Sequence, residues 1–329
     1  MNGQFSGIRS RNVLLAAAVA AILSPIQVAT AAEVDTSEWK CTQCPFQEGG
    51  EASVRLGYGD VSEDAAKFAD YTGLDGGGYV IADVAGRTRT ESGWYLDYEG
   101  RKLGLDSRDG VMTIGKEGVF KASLSYDAIT KRTYDDTMSP FTLSQATGDR
   151  LSLPTGWVRG STTAGMTQLA STLKPVDIGH DREKAGLSLD WRLSKSFGLF
   201  AKFSREDKEG NRVGTAGNFT TALQMPEPID SATDSYEFGF NWTGKAAHAR
   251  LSYYVQKFDN QVNGVTWDNP FTTFTATTGR MATSPDNESK QLVLSAGVRL
   301  ALDTSLGFKA VMGSVSQDAA LLPYTITAG

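Results

Sequence analysis

Thiols and imidazoles are nearly missing from this chain, which has two cysteines and two histidines in 329 residues. Covalent attachment of c-type haem needs C-x-x-C-H, and after Cys41-Thr42-Gln43-Cys44 the next position is Pro45. His180 and His248 are too few for an imidazole-rich metal centre, and each reads as an ordinary polar residue. Beyond the N-terminus no run approaches ~18 consecutive apolar residues, so no transmembrane helix is expected. That test is blind to a barrel, half of whose strand residues face away from lipid. A formal net charge of -6, a pI near 5.1 and no basic stripe argue against nucleic acid as a partner. The glycine-rich stretch 73–78 is followed by no phosphate-binding or dinucleotide pattern and reads as a turn. With no nucleophile–base–orienter set and no metal-spaced carboxylates, no enzymatic activity is expected.

What is present is alternation. Tyr236-Glu237-Phe238-Gly239-Phe240-Asn241-Trp242 places an apolar residue at every second position, and Gly244-Lys245 turns the chain. The return limb sets Ala249, Leu251, Tyr253 and Val255 against His248, Arg250, Ser252, Tyr254 and Gln256. Strand side chains alternate faces, so this is a β-hairpin with one apolar and one polar face. Tyr236 and Trp242 lie about 20 Å apart along the strand at ~3.3 Å per residue. An apolar band between aromatic girdles is what the lipid face of an outer-membrane barrel needs.

The N-terminus reads as an export signal. Arg9 and Arg11 precede an apolar run from Val13 to Leu23, and Ala29-Thr30-Ala31 is an A-x-A cleavage site. Residues 1–31 are therefore expected to be a signal peptide, followed by a polar periplasmic segment at 32–51 that holds both cysteines, and then by barrel from 52 to 329. Eleven strands are predicted, near 52–59, 78–88, 92–103, 109–116, 118–127, 183–192, 196–206, 233–243, 246–258, 289–301 and 304–314. The second alternates poorly. Long polar connections are predicted at 128–182, 207–232 and 259–288, with short turns between the other late strands. A periplasmic N-terminus then puts every long loop outside and every tight turn inside, as outer-membrane barrels require. A soluble β-sandwich would also show short alternating strands. It would seldom repeat Tyr and Trp at the ends of its apolar faces. The fold class expected is all-β: a transmembrane antiparallel up-and-down β-barrel, with about eleven strands of a larger one.

An odd strand count and a C-terminus without an aromatic last strand residue suggest an N-terminal portion of a longer chain, or closure of the sheet by another polypeptide. An open edge in lipid would leave backbone groups unpaired at several kcal/mol each.

The polar face is predicted to line the lumen. It carries Arg55, Asp97, Glu99, Arg101, Lys121 and Lys184, then Asp190, Arg192, Lys202, Glu237, Arg250 and Arg299. A hydrated lumen would explain these charges, and so would a lining matched to a protein occupant. For Cys41 and Cys44, zinc lacks two ligands and a thioredoxin-like site lacks its βαβ surroundings. A disulfide or redox-responsive thiol pair is the leading reading, with an inert staple as the alternative.

Taken together, the export signal, the short CxxC segment and the long run of strands resemble the MtrB/PioB family of decahaem-associated outer-membrane proteins. Gly57-Tyr58, Gly100-Arg101-Lys102-Leu103-Gly104-Leu105-Asp106-Ser107 and Leu124-Ser125-Tyr126-Asp127 look like the family's early strands and turns. Gly279-Arg280-Met281-Ala282, Pro285-Asp286-Asn287 and Leu322-Pro323-Tyr324 add to the likeness. The resemblance implies a wide barrel around a periplasmic decahaem c-type cytochrome, which supplies all the haem, and a second multihaem cytochrome outside on the loops. It implies electron transfer across the outer membrane, outward in metal reduction or inward in iron oxidation. Cys41 and Cys44 would then serve assembly or docking at the periplasmic mouth. A wide solute porin and an adhesin-like barrel are the competing functions.

Overall fold

A computed structural model describes residues 48–320, apart from 75, 135, 145–147, 219–220, 274 and 302–303. The signal peptide, Cys41 and Cys44 lie outside the described residues.

Eleven long strands form one antiparallel sheet in chain order. They are β1 Gly49–Val61, β2 Gly77–Arg89, β3 Trp94–Leu103, β4 Arg108–Lys116, β5 Phe120–Tyr134 and β6 Ile178–Arg192. The remainder are β7 Phe197–Asn218, β8 Thr221–Thr243, β9 Ala247–Asn260, β10 Asn287–Arg299 and β11 Ser305–Ser316. β1 begins three residues before the expected barrel boundary. Short turns at 90–93, 117–119, 193–196 and 244–246, and the β10–β11 connection, all fall at one end of the sheet, the turn end. The connections at 62–76, 104–107, 135–177, 219–220 and 261–286 fall at the other, the loop end.

The register shows which residues share a face. One row runs Tyr98, Met112, Leu124, Leu187, Phe203, Tyr236, Val255 across seven strands. A row nearer the turns runs Phe120, Trp191, Leu199, Phe240, Leu251, Leu294. Many of these side chains are exposed, Leu124 at 51% and Trp191 at 49%. A face this broad and apolar does not stay in water, since soluble monomers rarely expose patches above a few hundred Å². Aromatic pairs knit it together, with Trp94 edge-on to Phe120 at 5.5 Å and Phe203 against Tyr236 at 5.0 Å. One row above Tyr236 the same face turns ionic, as Arg205, Asp234, Lys257 and Glu288 stand side by side. Arg205 pairs with Asp234 at 3.6 Å and Lys257 with Glu288 at 3.8 Å. Charge on the lipid face is costly, so this row marks the upper limit of the band.

The loop end departs from expectation. Segment 207–232 is not a loop, because β7 and β8 continue through it as a paired ribbon as far as Asn218 and Thr221. β9 pairs with β8 only up to Ser231, so beyond that point β8 has a free edge. A free edge is where Pro226 and Pro228, which lack an N–H, are tolerated in a strand. Both faces of the ribbon rise above the apolar band, which is why it shows no alternation. Segments 128–182 and 259–288 also contain structure, since loops this long seldom stay irregular. β5 runs on to Tyr134 and β6 starts at Ile178. A small sheet joins Thr142–Leu143, Arg150–Ser152, Gly264–Asp268 and Thr278–Ala282. Its core is Phe141, Leu151, Val262, Val265 and Trp267, to which Met225 is contributed by β8. Leu151 and Val265 are wholly buried. The long segments and the ribbon thus close into a cap with a core of its own.

Candidate functional site: the inward wall

The polar face is built by the same period that makes the apolar one. Every predicted lumen residue lies on it, and the register brings several together. Asp97 accepts from Arg89 at 2.7 Å, and the Arg89 guanidinium lies 4.8 Å over the Tyr95 ring. Arg101 pairs with Asp109 at 2.8 Å and approaches Glu99 at 3.7 Å, while Arg55 pairs with Asp83 at 3.2 Å. Glu237 accepts from Arg250 at 2.9 Å and from Lys202 at 3.2 Å. Lys184, Asp190 and Arg299 form no ion pair with a described residue. Lys184 stands between Asp127 and Glu206 in the register, yet Glu206 is taken by Arg182 at 2.8 Å.

Two of these cations, Arg89 and Arg250, are laid along the wall over aromatic rings. Phe200 sits on the polar face, out of phase with Leu199 and Phe203, and is only 4% exposed. Its ring lies across Gly239, where a Cβ would fall 2.9 Å from the ring and 2.0 Å from the Leu251 carbonyl oxygen. The Arg250 guanidinium covers the other side of the ring at 3.8 Å. Tyr95 lies over Gly115 in the same way, a Cβ there falling 2.5 Å from the ring. Glycine in a strand interior costs stability unless another group packs into its space, and here an aromatic does so. Gly239→Val should therefore destabilise the folded barrel by about 1–3 kcal/mol through overpacking. Denaturant titration of the detergent-solubilised protein checks this, and wild-type stability would show that Phe200 does not depend on the glycine.

Midway up the wall, one row reads Ser53, Ala85, Glu99, Val111, Ser125, Gly186, Ser204, Ser235, Gln256, Ser289. Small hydroxyls dominate it, so the backbone can be approached closely there. His248 lies on the polar face against Gly297. His180 stands at the loop end, where burial and then Lys208, Lys131 and Arg182 hold its imidazole below the ordinary range. Among the described residues no group of three His, Cys, Asp or Glu could hold a metal ion. Arg89 and Phe200 are the features sequence reasoning missed. Arg89 ends the poorly alternating strand, and Phe200 is apolar where a polar residue was expected. The legible signal for Phe200 was a mid-strand glycine facing an off-phase aromatic.

A family model described as an outer membrane beta-barrel porin, MtrB/PioB, matches residues 60–329. Outer membrane protein MtrB of Shewanella baltica (strain OS185) is 29% identical over 294 residues, covering 88% of this chain and 42% of that protein. The chain thus spans less than half the length of that relative. Among solved structures, in-vitro folded OmpT, an outer membrane protein of Vibrio cholerae, aligns over 84% of this chain and 90% of its own. Its identity is 12% and its TM-score 0.25, too low to bear on the fold. The exposed apolar band, the sheet strung in chain order and the family match agree that this chain is a bacterial outer-membrane β-barrel protein of the MtrB/PioB family.

Proposed function

We propose that this barrel wraps a periplasmic decahaem c-type cytochrome and holds it in the lumen, giving electrons a path across the outer membrane. The observation that carries this reading is the inward wall itself. Its charges have both signs, many are paired along the wall, and in places they are pressed flat over aromatic rings seated on glycines. Such a lining satisfies many of its own polar groups and leaves charges of both signs to meet a protein surface. The chain binds no haem of its own in this reading, and all haem c comes from the partner. The family's role in electron-transfer conduits supports the same assignment. Arg55, Asp97, Glu99, Arg101, Lys184, Asp190, Arg250 and Arg299 are the proposed contacts with that partner. Cys41 and Cys44 are proposed as a disulfide or redox-responsive pair at the periplasmic mouth. A packed cap at the loop end would give an extracellular multihaem cytochrome a fixed surface to meet. No catalysis by the chain itself is proposed.

A wide solute porin is the second reading, favoured by the porin description of the family. Purification of the complete gene product from outer membranes, followed by a visible spectrum, separates the two. A haem Soret band co-eluting with the barrel is the expected result. A colourless barrel that conducts ions in a planar bilayer would sink the conduit and leave the porin.

A further inference from the structure

The inward wall is not evenly charged along the barrel axis. Its lowest rows, nearest the tight turns, carry Arg299, Arg192, Arg250, Lys309, Lys121 and Arg89. Among the described strand residues of those rows the only carboxylate is Asp190, and Glu117 in the turn 117–119 adds a second at the same end, near Arg89 and Tyr95. In the three rows above, from that of Lys202 and Glu237 to that of Lys184, carboxylates such as Glu99, Asp109 and Asp127 narrowly outnumber the cations, and above them Arg182 and Lys208 are basic again. The basic surplus is not neutralised within the wall, since Lys121, Arg192, Arg299 and Lys309 pair with no described carboxylate. This positive zone stands in a chain whose formal net charge is -6. The opposite face of the same strands is apolar at that height, with Trp191, Leu199, Leu251 and Leu294. A low-dielectric wall directs the field of these cations into the lumen.

We infer that the turn-end mouth of the lumen is a basic collar that receives an acidic surface of the protein occupying it. The inference rests on the conduit reading and adds where along the axis the occupant presents its carboxylates. Opposed potentials of this kind fix the depth and orientation of a guest more than they raise its affinity.

The test uses the complete gene product co-purified with its cytochrome, and reads haem per barrel after washes of rising salt. Retention by the wild type is expected to fall with salt, as screening shortens the reach of the collar. The variant K121E/R192E/R299E/K309E is expected to retain about tenfold less haem at physiological salt, through repulsion of a like-charged surface. K67E, a base in the short helix Ala66–Ala69 at the loop end, is expected to match the wild type. Should the fourfold variant fail to assemble, K121Q/R192Q removes two charges and adds none. It should lower the salt concentration at which half the haem is released. Haem held equally, with unchanged salt dependence, in the reversed or neutralised barrel overturns the collar and leaves the conduit standing. Wild-type barrels without haem overturn the conduit, and the collar's guest with it.

Discussion

Phe238→Arg is expected to destabilise the folded barrel by about 2–4 kcal/mol, the cost of a cation near the bilayer midplane on a lipid-facing strand. Phe238 lies between Tyr236 and Trp242, packs on Tyr253 at 5.5 Å, and is half exposed to what must be lipid. Its neighbours in the row, Ala201 and Tyr253, offer no counter-charge. The comparison that gives the experiment its force is Ser235→Arg, three residues away on the opposite face. Ser235 lies in the small-hydroxyl row of the inward wall, where an added cation meets water and Glu237 is nearby in the strand. That change should stay within about 0.5 kcal/mol, as surface substitutions usually do. Both variants can be refolded into lipid vesicles and titrated with guanidinium while tryptophan fluorescence is followed. Equal losses in the two would mean that the faces are assigned wrongly.

Trp267→Ala should cost the loop-end cap about 3–5 kcal/mol, the usual range for emptying a buried indole site. Trp267 is 7% exposed and pairs in parallel with Leu151, itself wholly buried. Its ring lies over Gly279, where a Cβ would fall 2.1 Å away. Beside it, Asp268 accepts from Arg150 at 2.5 Å and from the Leu153 N–H at 2.9 Å. Arg159 ties the same two segments by donating to the carbonyls of Phe271 and Ala276. Removing the indole loosens the surface that all of these contacts brace. Protease added to intact cells should then cut within 135–177 and 261–286 far faster than in the wild type. Barrel mobility on unheated gels should not change. A wild-type cleavage pattern would show that the cap does not depend on this core.

The wall of the barrel was legible because each strand meets two different media. β5 through β11 read Phe120-Lys121-Ala122-Ser123 or Leu292-Val293-Leu294-Ser295, with lipid selecting one phase and the lumen the other. β2 was harder, because Ala82, Ala85, Gly86 and Gly78 are small on both faces and carry little contrast. Above the band the signal fails outright. In 207–232 both faces rise past the lipid, so hydropathy does not alternate and the ribbon passed for a loop. Most of the inward face could be predicted from the alternation, Arg89 and Phe200 excepted, but its pairs could not. Arg89 meets Asp97, and Arg250 meets Phe200, through a register that no single strand contains. The cap was missed for the same reason: Leu151 and Trp267 are neighbours only after both strands are placed.

The order of the sheet bears on how the molecule is assembled. Neighbouring barrel strands are also neighbours in chain order, so the sheet can grow one hairpin at a time, with long loops to close only at 135–177 and 261–286. The cap obeys a different rule. Arg150 and Asp268 are 118 residues apart, and the strands that carry them are joined through β6, β7, β8 and β9. Closing so long a loop directly is slow, whereas a wall already laid down brings the two ends within reach. The cap is therefore the last part to seal. Until it does, the surface that 135–177 and 261–286 present together at the loop end does not exist, so a partner that recognises that surface distinguishes a finished wall from an unfinished one.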